Sequence, residues 1–172
     1  MEAGKLLMLL TAAALAGCQT MSDEPLRASA GLEPTRGNKA IGEVNFEQTG
    51  GKVRVTVQVI RLPGDREFGF HIHEVGDCSS GDGMSAKGHF NPYGKPHGAQ
   101  GGEHHAGDMP NLKSDAKGKA KLVADLDIVT LTPGPASIIG RGVIVHADPD
   151  DYKTQPTGNA GARLACGVIK AN

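Results

Sequence analysis

Residues 52 to 60 read KVRVTVQVI, with a valine at every second position. Val53, Val55, Val57 and Val59 lie on one side of an extended chain, and Lys52, Arg54, Thr56 and Gln58 on the other. That two-residue period requires a β-strand buried on one face only. GEVNFEQ precedes it and is closed by Gly50 and Gly51, which makes a hairpin partner. REFGFHIHE follows the Pro63-Gly64-Asp65 turn as a third strand. GKAKLVADLDIVTL, GRGVIVH and RLACGVIK supply more. The expected class is therefore all-β, an antiparallel sandwich or barrel.

A chain of 172 residues is expected to form one domain with a real hydrophobic core. It has no Trp and few aromatics, so Val, Ile, Leu and Ala must build that core. The 25 glycines favour turns and short strands. Net charge is −1 with no basic stripe, which leaves nucleic-acid binding without electrostatic support. Two stretches lack periodicity: the segment between Glu74 and Leu112, and residues 147–162. Loops of that length inside a compact domain are usually functional.

The N-terminus reads as an export signal. Lys5 precedes LLMLLTAAALAG, an apolar run too short to span a bilayer. Two processing routes fit: cleavage after Ala16, or lipidation of Cys18, since LAGC at residues 15–18 resembles a bacterial lipobox. The second makes residues 1–17 the signal peptide and tethers the protein to a membrane. Gln19, in place of an Asp, favours the outer membrane, facing the periplasm. The three cysteines agree with this route: lipidation of Cys18 leaves Cys78 and Cys166 as a pair. Residues 18–38 are polar, with two prolines and two glycines, and read as a flexible tether. The folded domain is expected over residues 39–172.

Histidines mark the chemistry. On a strand, residues i and i+2 face one side. His71 and His73 in GFHIHE therefore point together, with Cα atoms about 6.6 Å apart, while Phe70 and Ile72 point into the core. His89, His97, His104 and His105 crowd the long loop, Asp108 closes HHAGD, and His146 ends GVIVH. Imidazole is the commonest side-chain metal ligand. Nitrogen donors without thiolate suit copper(II) as well as zinc. Spacing alone implies one or two histidine-bound metal sites and leaves the metal and the assignment open.

The motifs GFHIHEVGDC, GHFNP, HAGDMPN, IIGRGVIVHADPDD and TGNAGARLACGVI, in this order, resemble copper–zinc superoxide dismutase of the exported bacterial type. The similarity runs from about residue 40 to 170. It implies an eight-stranded Greek-key β-barrel with both metals outside it. By resemblance, copper is held by His71, His73, His89 and His146, and zinc by His89, His97, His105 and Asp108. His89 bridges them as an imidazolate. Asp150 resembles the carboxylate linking a copper ligand to a zinc ligand. Arg163 resembles the guanidinium that attracts superoxide, and Thr157 the residue narrowing the channel opposite it. The implied reaction is dismutation of superoxide to dioxygen and hydrogen peroxide, an antioxidant role outside the cytoplasm. Only a short segment separates His73 from Cys78, which alters the contact loop of the eukaryotic dimer. A homodimer of the bacterial type is the assembly to expect. His104 has no counterpart in the motif and is expected to be exposed. A copper-buffering lipoprotein and a zinc-only structural domain are the rival readings; neither needs Arg163 together with the complete ligand set.

Overall fold

The computed structural model describes residues 24–172, and the signal peptide and Cys18 lie outside them. The first strand, β1 (Leu26–Pro34), falls where the tether is expected. Residues 18–23 lie outside the described residues; residues 26–34 are part of the barrel. Ala28, Ala30 and Leu32 alternate inward against Arg27, Ser29 and Gly31. Small, weakly β-forming residues hide that two-residue period in the sequence.

Hairpins then build one wall. β2 (Ile41–Thr49) and β3 (Lys52–Ile60) pair along their whole length, and β7 (Ala120–Leu126) adds to β3. The expected strand from Arg66 to Glu74 is broken at Gly69 into β4 (Glu67–Phe68) and β5 (Phe70–His73). β5 pairs with β8 (Gly142–His146), and β8 with β9 (Arg163–Val168). β1 joins the two walls. It pairs with β2 on one side, and on the other with β9 and its continuation β10 (Lys170–Ala171). The order is β5-β8-β9-β1-β2-β3-β7. The ends of that path are linked because β4, just before β5, pairs with β6 (Leu112–Lys113), just before β7. The result is the antiparallel Greek-key barrel.

Inside it lie Val53, Val55, Val57, Val59, Ile72, Val143 and Val145, none exposed. Phe46, Phe68, Phe70 and Phe90, all four phenylalanines of the chain, are also in this core. Burying a side chain of this size stabilises by about 1.5–3 kcal/mol. Strand alternation then sends His71, His73, Ile144 and His146 to the other side of the β5–β8 wall. They stand outside the barrel, beneath the two long loops.

Candidate metal centre

The outer edge of β5 is stitched to the long loop. Ile72 N–H donates to Gly107 O at 2.9 Å, and Phe90 N–H to Ile72 O at 2.8 Å. These bonds set His89 beside His73 and Asp108 beside His71. Gly107 is required, because a Cβ there would overlap the Ile72 carbonyl.

Two quartets result. The ligand atoms of His71, His73, His89 and His146 lie within 4.8 Å of one another, and so do those of His89, His97, His105 and Asp108. All seven residues are buried, and His89 belongs to both sets. His71 and His73 are completely inaccessible, which excludes a polar outer face that happens to use histidine.

Hydrogen bonds fix which nitrogen of each ring is free. In the first quartet His73 Nδ1 donates to Lys87 O at 2.8 Å, and His146 Nδ1 to Gly161 O at 3.3 Å. Their Nε2 atoms are thereby turned to each other, 3.2 Å apart. His71 is reversed: its Nε2 donates to Asp150 Oδ2 at 2.9 Å, leaving Nδ1 free. His89 Nδ1 lies 2.8 Å from Asp108 Oδ1, so Nδ1 faces the second quartet and Nε2 the first. In the second quartet His97 Nε2 donates to Asp150 Oδ1 at 2.8 Å. Its Nδ1 is 3.0 Å from Asp108 Oδ2 but out of line for a hydrogen bond. Asp108 Oδ2 also accepts from the backbone N–H of Gly98 and His105.

His71 Nδ1, His89 Nε2 and His97 Nδ1 are thus buried without partners. An orphaned buried nitrogen costs about 1–3 kcal/mol, and three converging on two points fit a pair of bound cations. Electrostatics agree. Burial, with the neighbouring imidazoles, holds His73 and His146 well below the ordinary value and His89 at about 4. Those rings are neutral donors at pH 7, as metal binding requires. Burial lowers His71 too, against the pull of Asp150. Burial would raise Asp108, but the imidazoles of His105, His89 and His97 outweigh it and keep it far below the usual carboxylate range. For His97, burial is outweighed by Asp108 and Asp150, which raise it to about 9.

Arg163 opens β9 directly opposite His146, at a register shift between Val145 and His146. Its guanidinium is half-buried and donates to the carbonyls of Gly83 and Lys87. The Cys78–Cys166 disulfide, with Cα atoms 5.8 Å apart, ties that same loop to β9. Thr157 is half-buried and precedes Gly158, where a Cβ would overlap the Asp150 carboxylate.

His104 departs from expectation. It is buried, with Nδ1 donating to His105 O at 2.6 Å and Nε2 3.5 Å from Asp127 Oδ1. Its ring is turned inward by the His105 carbonyl on one side and Asp127 on the other, instead of out to solvent. Asn111 closes the HAGDMPN motif without a role assigned to it, and Gln155 and Lys87 belong to none of the motifs. Each acts through backbone groups, which residue type does not reveal.

The copper/zinc superoxide dismutase (SODC) family matches residues 40–169. "Superoxide dismutase [Cu-Zn] 1" of Aquifex aeolicus is 42% identical over 152 residues, covering 86% of this chain and 89% of that protein. "Extracellular superoxide dismutase [Cu-Zn]" of Caenorhabditis elegans is 38% identical over 167 residues, covering 91% and 74%. The crystal structure of the clock protein EA4 superposes with a TM-score of 0.78 at 40% identity, covering 86% of this chain and 96% of that one. A Greek-key barrel, two buried quartets sharing one imidazole and these similarities agree: the chain belongs to the copper/zinc superoxide dismutase family, enzymes that dismutate superoxide with copper and zinc as cofactors.

Proposed function

We propose that His71, His73, His89 and His146 hold the copper and His89, His97, His105 and Asp108 the zinc. The observation that carries this is His89, whose Nδ1 faces Asp108 while its Nε2 is unpartnered toward the other quartet. An all-imidazole set suits copper, whereas three imidazoles and a carboxylate suit a tetrahedral zinc.

Copper, when bound, supplies the reversible one-electron chemistry. Zinc is redox-inert and orders the loop. Two superoxide anions and two protons become one dioxygen and one hydrogen peroxide. His89 Nε2, when not engaged with the metal, would hold one of the two protons that the reductive half consumes. Arg163 remains charged at every working pH and draws the anion to the first quartet. Its two carbonyl anchors hold the guanidinium against the wall that carries His146. Thr157 limits the opening from the other side. Asp150 fixes the rings of His71 and His97.

The export signal and lipobox-like LAGC support a protein acting outside the cytoplasm, anchored through Cys18 to the outer membrane. There it would remove superoxide from the periplasm, with the bacterial type of homodimer as its assembly. The extracellular form named among the relatives is consistent with an exported setting.

Superoxide loss, metal content and the copper spectrum, followed through copper removal and restoration, test the reading. Activity should vanish with copper and return with it. Mass spectrometry of the mature N-terminus tests the anchor, which requires acyl-Cys18. A protein that binds copper tightly but leaves superoxide untouched would be a buffer, and the enzyme reading would fall.

A further inference from the structure

The two loops over the metal centre hold each other by their backbones. Gln155, in the loop after β8, accepts from His97 N–H through Oε1 at 2.8 Å and donates from Nε2 to His97 O at 2.8 Å. Asn111, at the end of the other loop, does the reverse. Its Oδ1 accepts from Asp150 N–H at 3.0 Å, and its Nδ2 donates to Asp150 O at 3.0 Å. Each loop thus lends one carboxamide that satisfies both backbone groups of one residue in the other. The two residues gripped in this way are the partners in the 2.8 Å bond between His97 Nε2 and Asp150 Oδ1. Tyr152 reinforces the Asn111 side: its hydroxyl accepts from Asn111 N–H at 2.7 Å, and its own N–H donates to Asp150 Oδ1 at 2.7 Å.

We propose that Asn111 and Gln155 form a reciprocal latch between the loops, positioning residues through which occupancy of the zinc quartet sets the copper affinity of the other. The inference rests on the quartet assignment above. Asp150 touches one ring of each quartet, His71 at Oδ2 and His97 at Oδ1. A change in the lie of His97 moves His71 only if the Asp150 backbone cannot swing to absorb it. The bonds from Asn111 remove that freedom at Asp150, and the bonds from Gln155 remove it at His97. Neither carboxamide touches a ligand nitrogen, so their effect is on coupling between sites, which is a free energy of its own.

The test uses the full folded chain and the variants Gln155→Met and Asn111→Leu, singly and together. Each removes the two bonds its carboxamide makes across the loops, and the double variant removes all four, without adding charge. Copper affinity is measured with zinc present and absent, and the copper visible band is followed while zinc is added. In the parent protein zinc should tighten copper binding at least about 5-fold and shift the band. In the double variant that ratio should fall toward one and the band should no longer respond. Gln155→Glu, which keeps the acceptor for His97 N–H, should retain an intermediate ratio and covers the event that the apolar variants do not fold. Variants that lose thermal stability yet keep the parent ratio would reduce Asn111 and Gln155 to structural contacts. A parent whose copper affinity ignores zinc would overturn the latch while leaving the quartets intact. Failure of copper to bind the four histidines would instead overturn the underlying assignment.

Discussion

Arg163 and His73 donate to one and the same acceptor, the carbonyl oxygen of Lys87. The cation expected to guide the anion and a ring of the all-histidine quartet are thus referenced to a single atom. That atom belongs to a loop pinned to β9 by the Cys78–Cys166 bond. Strand pairing brings Arg163 opposite His146, and the loop then fixes where its charge points.

Arg163→Ala should lower kcat/KM about 10-fold, since local positive potential raises the on-rate of a small anion by about 10–10³-fold, a range that includes this enzyme family. Metal content should not change. The dependence of the rate on ionic strength should flatten, because the screened charge is gone. Arg163→Lys should fall between the two, keeping the charge but not the planar fork that spans two carbonyls. Rates measured from low to high salt check this; a variant as fast as the parent at low salt would remove Arg163 from the reaction.

Replacing both Cys78 and Cys166 with Ala should cost up to about 4–5 kcal/mol in the chain-entropy picture for a cross-link of this separation, read as a lower denaturant midpoint. Activity of the fully metallated protein should fall as well, because Gly83 and Lys87 lie in the freed loop. A variant that loses stability yet keeps full activity would show that the Arg163 anchors hold without the bond.

Lys87 has φ +60° and ψ −144°, a conformation close to one that only glycine adopts freely. Its carbonyl faces His73 and Arg163 because of that backbone. Lys87→Gly should therefore stabilise the protein by about 1 kcal/mol, relief of strain outweighing the added freedom of the unfolded chain. Thermal unfolding checks the sign. A destabilised variant would mean that the lysine side chain contributes more than its backbone loses.

Much of this centre is legible in the sequence, for definite reasons. His71 and His73 alternate with Phe70 and Ile72, so the strand period alone places them on one side. His89, His97, His105 and Asp108 follow only from the resemblance, and the bonds that bring the loop against β5 explain why they converge. The strand Leu26–Pro34 is not legible inside the polar N-terminal stretch, because Ala28 and Ala30 fill an inward face without the bulk that signals a strand. The burial of His104 is not legible because it depends on a backbone carbonyl and on distant Asp127. The roles of Asn111, the last residue of HAGDMPN, and of Gln155 are not legible for a similar reason: each recognises the backbone of a residue more than 35 positions away, and no local pattern encodes that.

The metal-free protein should be most stable near pH 6.5 and lose stability on both sides. On the acid side, His89 lies at about 4 in the fold, and His73 and His146 lie well below the ordinary value. From about pH 6.5 downward the unfolded chain binds more protons at these rings than the folded one, so stability falls as pH drops. Asp108 and Asp150 add to this at lower pH: both are depressed in the fold, and their contribution is lost as pH falls below the unfolded carboxylate value of about 3.9. On the alkaline side the sign reverses. His97 is raised to about 9, so its contribution is complete below about pH 6.5 and is lost as pH rises through 9. Zinc held at His97 Nδ1, as proposed, would replace that proton, so loading the metal should abolish the alkaline loss. Denaturant midpoints of zinc-free and zinc-loaded protein from pH 5 to 10 decide the matter: an alkaline arm that is absent without metal, or that persists with it, would show that His97 does not hold the proton which zinc displaces.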